Sequence, residues 1–446
     1  MTTHPLDART ALRRYATVSA LLWFPIGLTI APLILLLTAR GLTLPTITLL
    51  MAVYSLTTAV LELPTGGLSD VLGRRVVLAA AGVLSIGALV LQALSTAVWL
   101  LVVAMVLTGT VRALFSGSVE AWYVDTVQAA EGPDADLRAG FARAGTVTSV
   151  ALAAGTLLGG AVPWALGLGS DPGAALTRAT DGLVLPLSVP MLAAAGVAVF
   201  AVLYVLTSLP EPTTDTGTGT GTGTLRAALG SIPATIRDGL RLGGGDRLVR
   251  RILLSTAAAG GGIATVELLT PGRAAALTGG SASGAVLYAA LACTGFLCSG
   301  LGSQLGPFTA RLAGSGERAV LLGLTVSAGG LALLGATTAL AGPVALALGA
   351  TGYGLIYLGL GAAGPSESEL LHHRIPGESR ATVLSAQSLS LQLAGAVTGL
   401  TVGRLPAGPL PWLTAAAVVL AGALLWARRH TPALTDAHPA KESQPA

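Results

Sequence analysis

Charge is what this sequence has least of: Asp, Glu, Lys and Arg make up 10% of its 446 residues, against about 25% in ordinary globular chains. With 52% apolar residues beside that deficit, water cannot be the main solvent, which excludes a soluble domain. Lysine is almost absent, Lys441 being the only one. The arginines are dispersed through short loops and form no patch, so nucleic acid is excluded as a partner. Aromatic residues are 4% and cysteines two. Cys293 and Cys298 share one apolar run but face different ways on a helix, so they read as small packing residues and not as a disulfide or metal pair. There is no Ser-His-Asp set, no His-Glu-x-x-His and no nucleotide loop. Neither an enzyme nor a cofactor or metal site is expected.

What is present is a succession of apolar runs, each about 20 residues long, the length that crosses a bilayer. They fall near 17–38, 44–65, 75–96, 98–121, 143–168 and 183–207, and again near 250–271, 284–309, 318–339, 342–364, 382–404 and 410–428. The first is too long for a cleaved signal peptide and leads straight into further spans, so it is read as a retained helix. With an even number of crossings both termini share a side. All 25 basic residues except Arg40, Arg112, Arg178, Arg273 and Arg404 then fall on that side, which the positive-inside rule makes cytoplasmic.

The expected domains are a cytoplasmic N-terminus over 1–16, a six-helix bundle over 17–208, a linker over 209–249, a second bundle over 250–428 and a cytoplasmic tail over 429–446. The linker contains TGTGTGTGT, which has nothing to bury and reads as a flexible tether. The arginine-rich, Ala/Gly/Leu-rich composition points to a bacterial inner membrane.

One stretch organises the rest: ELPTGGLSDVLGRRVVL, Glu62 to Leu78, between the second and third spans. It resembles the signature loop of the major facilitator superfamily, Gly-x-Leu-Ala-Asp-Arg-x-Gly-Arg-Arg. Gly66, Leu68, Asp70, Gly73, Arg74, Arg75 and Leu78 match in register, while Ser69 and Val71 depart from it. A weaker echo, GPFTARLAGSGERAVLL, follows the eighth span, with Gly316, Glu317 and Arg318 at its end and no Asp. The resemblance implies an all-α polytopic membrane protein with twelve transmembrane helices in two pseudo-symmetric six-helix bundles. It also implies a gate in which Asp70 meets the start of the eleventh span near Thr382 and Ser385, and Arg74 meets Asp125. Glu62, just before the loop, is assigned to the same gate.

GTLLGG in the fifth span resembles the Gly-Pro-x-x-Gly-Gly motif of the family's proton-coupled antiporters. Gly155, Gly159 and Gly160 match, with Thr156 in the proline's place. The bland alternative is close packing of small residues. This resemblance favours efflux.

Ionisable groups within spans are costly and mark pathways. Arg112 lies about 21 Å into the fourth span at 1.5 Å per residue; it either faces the central cavity or satisfies itself on backbone carbonyls. On a continuous helix Glu120 stands about 80° round from it, so the two cannot pair. Glu120 is either in the proton pathway or at the membrane interface. Glu267, in the seventh span with Thr265 and Thr270 as neighbours, is a candidate proton carrier in the outer part of the cavity, with exposure at the membrane interface as the alternative. By resemblance, spans one, four, seven and ten line that cavity, which makes Trp23, Phe24, Phe115, Tyr353 and Tyr357 candidate substrate contacts, with core packing as the alternative. His372 and His373 are adjacent, point apart and share no metal.

The expected function is secondary active transport by alternating access, specifically proton-coupled efflux of a hydrophobic small molecule. The alternatives are proton-symport nutrient uptake or a non-transporting membrane scaffold. Expected partners are a small-molecule substrate, protons and membrane lipids, and the chain is expected to act as a monomer.

Overall fold

The computed structural model describes residues 6–116, 118–132, 135, 137–168, 171–210, 246–374 and 377–427. Side chains at 63–71, 138–139, 372–382 and 384–385 fall outside the description.

The first run is two helices. α1 (Ala8–Ile30) and α2 (Leu33–Ala39) meet at 41°, where Pro32 has no N–H to offer a preceding turn. Arg40 follows, its guanidinium donating to the carbonyls of Ala93 and Ser95 and, at 3.4 Å, to Ser188 Oγ. One side chain thus pins the ends of three spans.

α3 (Leu44–Leu72) and α4 (Arg74–Leu94) correct the reading of the stretch from Glu62 to Leu78 as a loop between spans. The helix runs through the signature stretch, and the turn is confined to Gly73 at φ 86°, a backbone region glycine enters at no steric cost. The fourth run is also interrupted: α5 (Val98–Phe115) stops, Ser116 takes ψ 113°, and α6 (Ser118–Glu131) restarts. The 80° offset between Arg112 and Glu120, which assumed one continuous helix, does not apply.

α7 (Arg138–Leu166), a short α8 (Pro172–Ala179) not expected from the sequence, and α9 (Val189–Ser208) complete the first half. The second comprises α10 (Arg247–Thr278), α11 (Ser281–Ala313), α12 (Gly316–Thr337), α13 (Gly342–Arg374), α14 (Gly377–Val402) and α15 (Pro409–Leu424). α13 continues past the expected end at 364, with Pro365 inside it.

Among the described residues, nine helices are long and apolar enough to cross a membrane, ten with the bent α1–α2 pair. α15, at 16 residues, is shorter. This is an all-α multi-pass membrane protein.

Helices pack in two lobes. In the first, α1 lies on α7 and α9, and α4 and α3 on α5; in the second, α13 lies on α12 and α11, and α10 on α14 and α15. The first lobe's core includes Tyr15, Trp122 and Tyr123, with Tyr15 and Tyr123 stacked at 4.6 Å. The second is built on Val320, Leu331, Tyr353 and Trp412. The lobes meet along two seams, α7 with α11 and α3 with α14.

Candidate transport cavity

The seam between α7 and α11 is closed at one end and open at the other. Near the far end, a Cβ added to Gly160 would lie 2.5 Å from the Ala285 carbonyl oxygen, and Cys293 Sγ is 3.6 Å from the Ala153 carbonyl oxygen. Toward the end that carries Gly73, Ser208 and Arg247, a Cβ at Gly145 or Gly300 would meet nothing within 4 Å. The seam is therefore loosely packed toward that second end, here called the linker end, which we read as the mouth of a cleft between the lobes.

Arg112 is exposed although it lies well inside a span. The cleft supplies the water its charge needs. Its guanidinium carbon stands 5.3 Å from the centre of the Trp23 ring, a cation–π contact that joins α5 to α1. Tyr54 of α3 interacts electrostatically with Arg112 and, across the lobes, with Glu267. Glu267 is itself exposed in the middle of α10 and interacts with Tyr288, Tyr353 and Tyr357 of its own lobe. The rings of Tyr353 and Tyr357 are 5.0 Å apart. Tyr54, Glu267 and Tyr353 each lie about 15 Å from the far ends of their helices at 1.5 Å per residue, so these three share one depth.

The remaining candidates are placed elsewhere. Phe24 packs with Leu28, Leu89 and Ala194, and Phe115 with Val77 and Leu114, within the first lobe. Glu120 is exposed and lies within electrostatic reach of Tyr15. Gly155 and Gly159 let α7 press on α1, where added Cβ atoms would run into Phe24 and Leu28 backbone. Gly160 does the same against α11.

At the linker end, Arg74 Nε donates to Asp125 Oδ2 at 2.7 Å, tying α4 to α6. Arg75 donates to the Leu206 carbonyl. Ser388 Oγ of α14 donates to Glu62 Oε2 of α3 at 2.6 Å, a bond between lobes. The side chains of Leu68 and Asp70, at Gly66 any contact, and those of Thr382, Ser385, His372 and His373 lie outside the described residues, as do Gly117, the run at 211–245 and residues 428–446.

Several polar groups escaped the sequence reading. Tyr54 and Tyr288 were passed over because cavity aromatics were sought on spans one, four, seven and ten. Glu367 falls beyond the expected end of the tenth span at 364; it lies inside α13 and accepts from Ser255 Oγ at 2.6 Å. Gln387 Nε2, beside Ser388, donates to Thr256 Oγ1 at 3.0 Å. Among the described residues no group of three or more His, Cys, Asp or Glu could hold a metal.

A two-lobed helical membrane protein with a charged cleft between its lobes has the build of a carrier. The sequence matches the family model of the Major Facilitator Superfamily over residues 16–399, and the chain belongs to that family. It is a secondary-active transporter that moves a small molecule by alternating access, and not an enzyme. Among curated proteins none matches this sequence. Solved structures with the same fold include the nucleoside transporter NupG (13% identity, TM-score 0.70, covering 94% of this chain and 98% of that one). A peptide transporter POT in complex with sulfate has 14% identity and a TM-score of 0.70, with 96% and 94% covered. The xylose transporter XylE from E. coli, in an inward-open conformation, has 16% identity and a TM-score of 0.66, with 95% and 96% covered.

Proposed function

We propose that this carrier takes up a polar, hydrogen-bonding small molecule together with protons. The observation that carries the reading is the set of polar groups inside the spans: Arg112 on Trp23, Tyr54 within electrostatic reach of it, and Glu267 within reach of Tyr288, Tyr353 and Tyr357. Phenolic hydroxyls, a guanidinium and a carboxyl offer donors and acceptors, which a lipophilic drug would leave unsatisfied at a cost of about 1–3 kcal/mol each. The solved neighbours include a nucleoside transporter, a peptide transporter and a xylose transporter, which supports a polar cargo.

In this proposal twelve spans form two six-helix bundles, over 17–208 and 250–428, joined by the 209–249 linker. Both termini are cytoplasmic, in a bacterial inner membrane, and the carrier works as a monomer. The cleft at the linker end then opens to the cytoplasm. Glu267 carries the proton, Arg112 and the tyrosines hold the cargo, and the contacts of Glu62, Arg74 and Asp125 are broken and remade as the lobes rock. Asp70, with Gly66, Leu68, Gly73 and Arg75, belongs to the same gate.

A second reading, proton-coupled efflux, is favoured by the Gly155, Gly159 and Gly160 face, which resembles an antiporter motif and packs against both α1 and α11. Proteoliposomes decide between the two. With an alkaline interior, labelled nucleosides, peptides and sugars are offered in turn; uptake predicts accumulation of one class that a protonophore abolishes and that Glu267→Gln uncouples from the gradient. Export of a lipophilic dye under the same assay, with no accumulation of polar solutes, would instead establish efflux.

A further inference from the structure

In each lobe an arginine near the far end of the first span holds the far end of the third. Arg40 donates to the carbonyls of Ala93 and Ser95 and reaches Ser188 Oγ at 3.4 Å. Arg273 of α10 donates to the carbonyl of Thr337, which ends α12, and at 2.8 Å to that of Leu340. The second arginine is left incomplete: its Nε is buried and has no hydrogen-bond partner. Thr270, one turn earlier and 3% exposed, has a buried Oγ1 that is also without a partner. Its neighbours on α10 bond back to their own helix, Thr265 to the Gly261 carbonyl and Thr278 to the Ala274 carbonyl, both at 2.9 Å. Thr270 makes no such bond, so its hydroxyl is turned away from the backbone. Both residues line one cavity inside the second lobe, walled by α10, α11, α12, α13 and α15, and their spacing of three puts them on one helix face.

The chemistry of the wall selects an anion. The bonds that Arg273 does make are to neutral carbonyls, so its charge has no counter-charge, and none of the residues lining the cavity is acidic. A buried charge in that position is costly. Glu267, six positions earlier on α10, lies about 120° round the helix at 100° per residue and reaches Tyr288, Tyr353 and Tyr357. The Thr337 hydroxyl is committed to the Leu334 carbonyl at 2.6 Å. What remains free is one guanidinium N–H and one hydroxyl, both donors, in a wall otherwise made by leucines and Trp412. The space suits a water molecule or a monatomic ion. A water would meet the donors and leave the charge unbalanced; a small anion does both.

We infer that this cavity is a binding site for a monovalent anion of halide size, held by the Arg273 Nε–H and the Thr270 hydroxyl. The inference goes beyond the transport reading and does not rest on it, because every wall of the cavity belongs to the second lobe and the site is the same whichever way cargo moves. The bound anion neutralises the guanidinium that pins α12 to α10. It is one turn from Glu267 along α10 and outside the set of groups assigned to cargo. A ligand that binds the folded chain and not the unfolded one raises stability with its concentration, so the second lobe should be firmer in halide.

Thermal unfolding of the purified full chain, with potassium gluconate exchanged for potassium chloride or bromide at constant ionic strength, tests this without a substrate. Gluconate is too large for the cavity, so the melting temperature should rise as halide replaces it and then level off. Thr270→Val, which keeps the shape and removes the hydroxyl, should raise the half-saturating halide concentration about tenfold or more. Arg273→Gln should lose the dependence. Arg40→Gln, which disturbs the corresponding pin of the first lobe, should melt earlier and keep it. Anomalous diffraction from crystals of the unsubstituted chain grown in bromide should place the ion against Thr270 and Arg273. A melting temperature indifferent to halide, a halide effect undiminished in Thr270→Val, or a cavity that holds water in bromide overturns the inference. Should Arg273→Gln fail to fold, Thr270→Val and the bromide position decide. Transport that proves to be efflux, or independent of protons, leaves this site standing.

Discussion

Ser388 Oγ and Glu62 Oε2 are 2.6 Å apart although they belong to different lobes. A hydroxyl that short to a carboxylate is a charge-assisted bond, and it ties the two halves partway along a seam whose outer end is closed by Thr48 packing on Gly403. Because the lobes must move past one another, this bond is on the path of the motion.

Ser388→Ala removes the donor and leaves the carboxyl. With hydrogen bonds to charged groups worth about 1.5–3 kcal/mol, the population of the present conformation should drop about tenfold or more relative to its alternative. Alkylation of a single cysteine at Gly145, in a background lacking Cys293 and Cys298, measures it: labelling through the open end should slow.

Gly160 predicts the opposite kind of defect. Gly160→Val would drive a side chain into the Ala285 carbonyl and the Ala289 Cβ, and close-packed helices do not yield to that. The closed end should fail to form, with transport falling at least about tenfold. Gly300→Ala on the facing helix, where nothing lies within 4 Å, should transport normally.

The Trp23–Arg112 contact can be weighed through its two partners. Trp23→Leu removes a cation–π term of about 0.5–2 kcal/mol, so the half-saturating substrate concentration should rise by about 2- to 30-fold. Arg112→Gln should abolish transport, and Arg112→Lys should restore only part of it, since an ammonium lacks the planar face that stacks on indole.

Arg74 and Asp125 are partly exposed, at 18% and 31% of their side-chain surfaces. A pair so placed contributes about 1 kcal/mol or less. Asp125→Asn should therefore lower the melting temperature by only a few degrees at low salt, and the difference should shrink in high salt as screening sets in. A large loss of transport with so small a loss of stability would assign the pair to gating.

Much of the architecture was readable because a bilayer imposes length and apolarity on each crossing. The starts of α3, α4, α5 and α15 fall within a residue of the expected runs. The misreadings share a cause. Pro365 inside α13, the break at Ser116, the bend at Pro32 and the one-residue turn at Gly73 are decided by what packs around the backbone. A hydropathy run does not record that. Likewise Phe24 and Phe115, on the spans expected to line the cavity, turn into packing, while Tyr54 and Tyr288, on other spans, lie around Glu267.

The sequence by itself determined the solvent, the succession of helices and the family, because apolar run length and a short loop motif are local properties. Only the tertiary structure decided which end of the cleft is open, that Glu62 crosses to Ser388, and that Glu367 meets Ser255. Each depends on the rotation and tilt of helices far apart in the chain, set by the side chains that interlock between them.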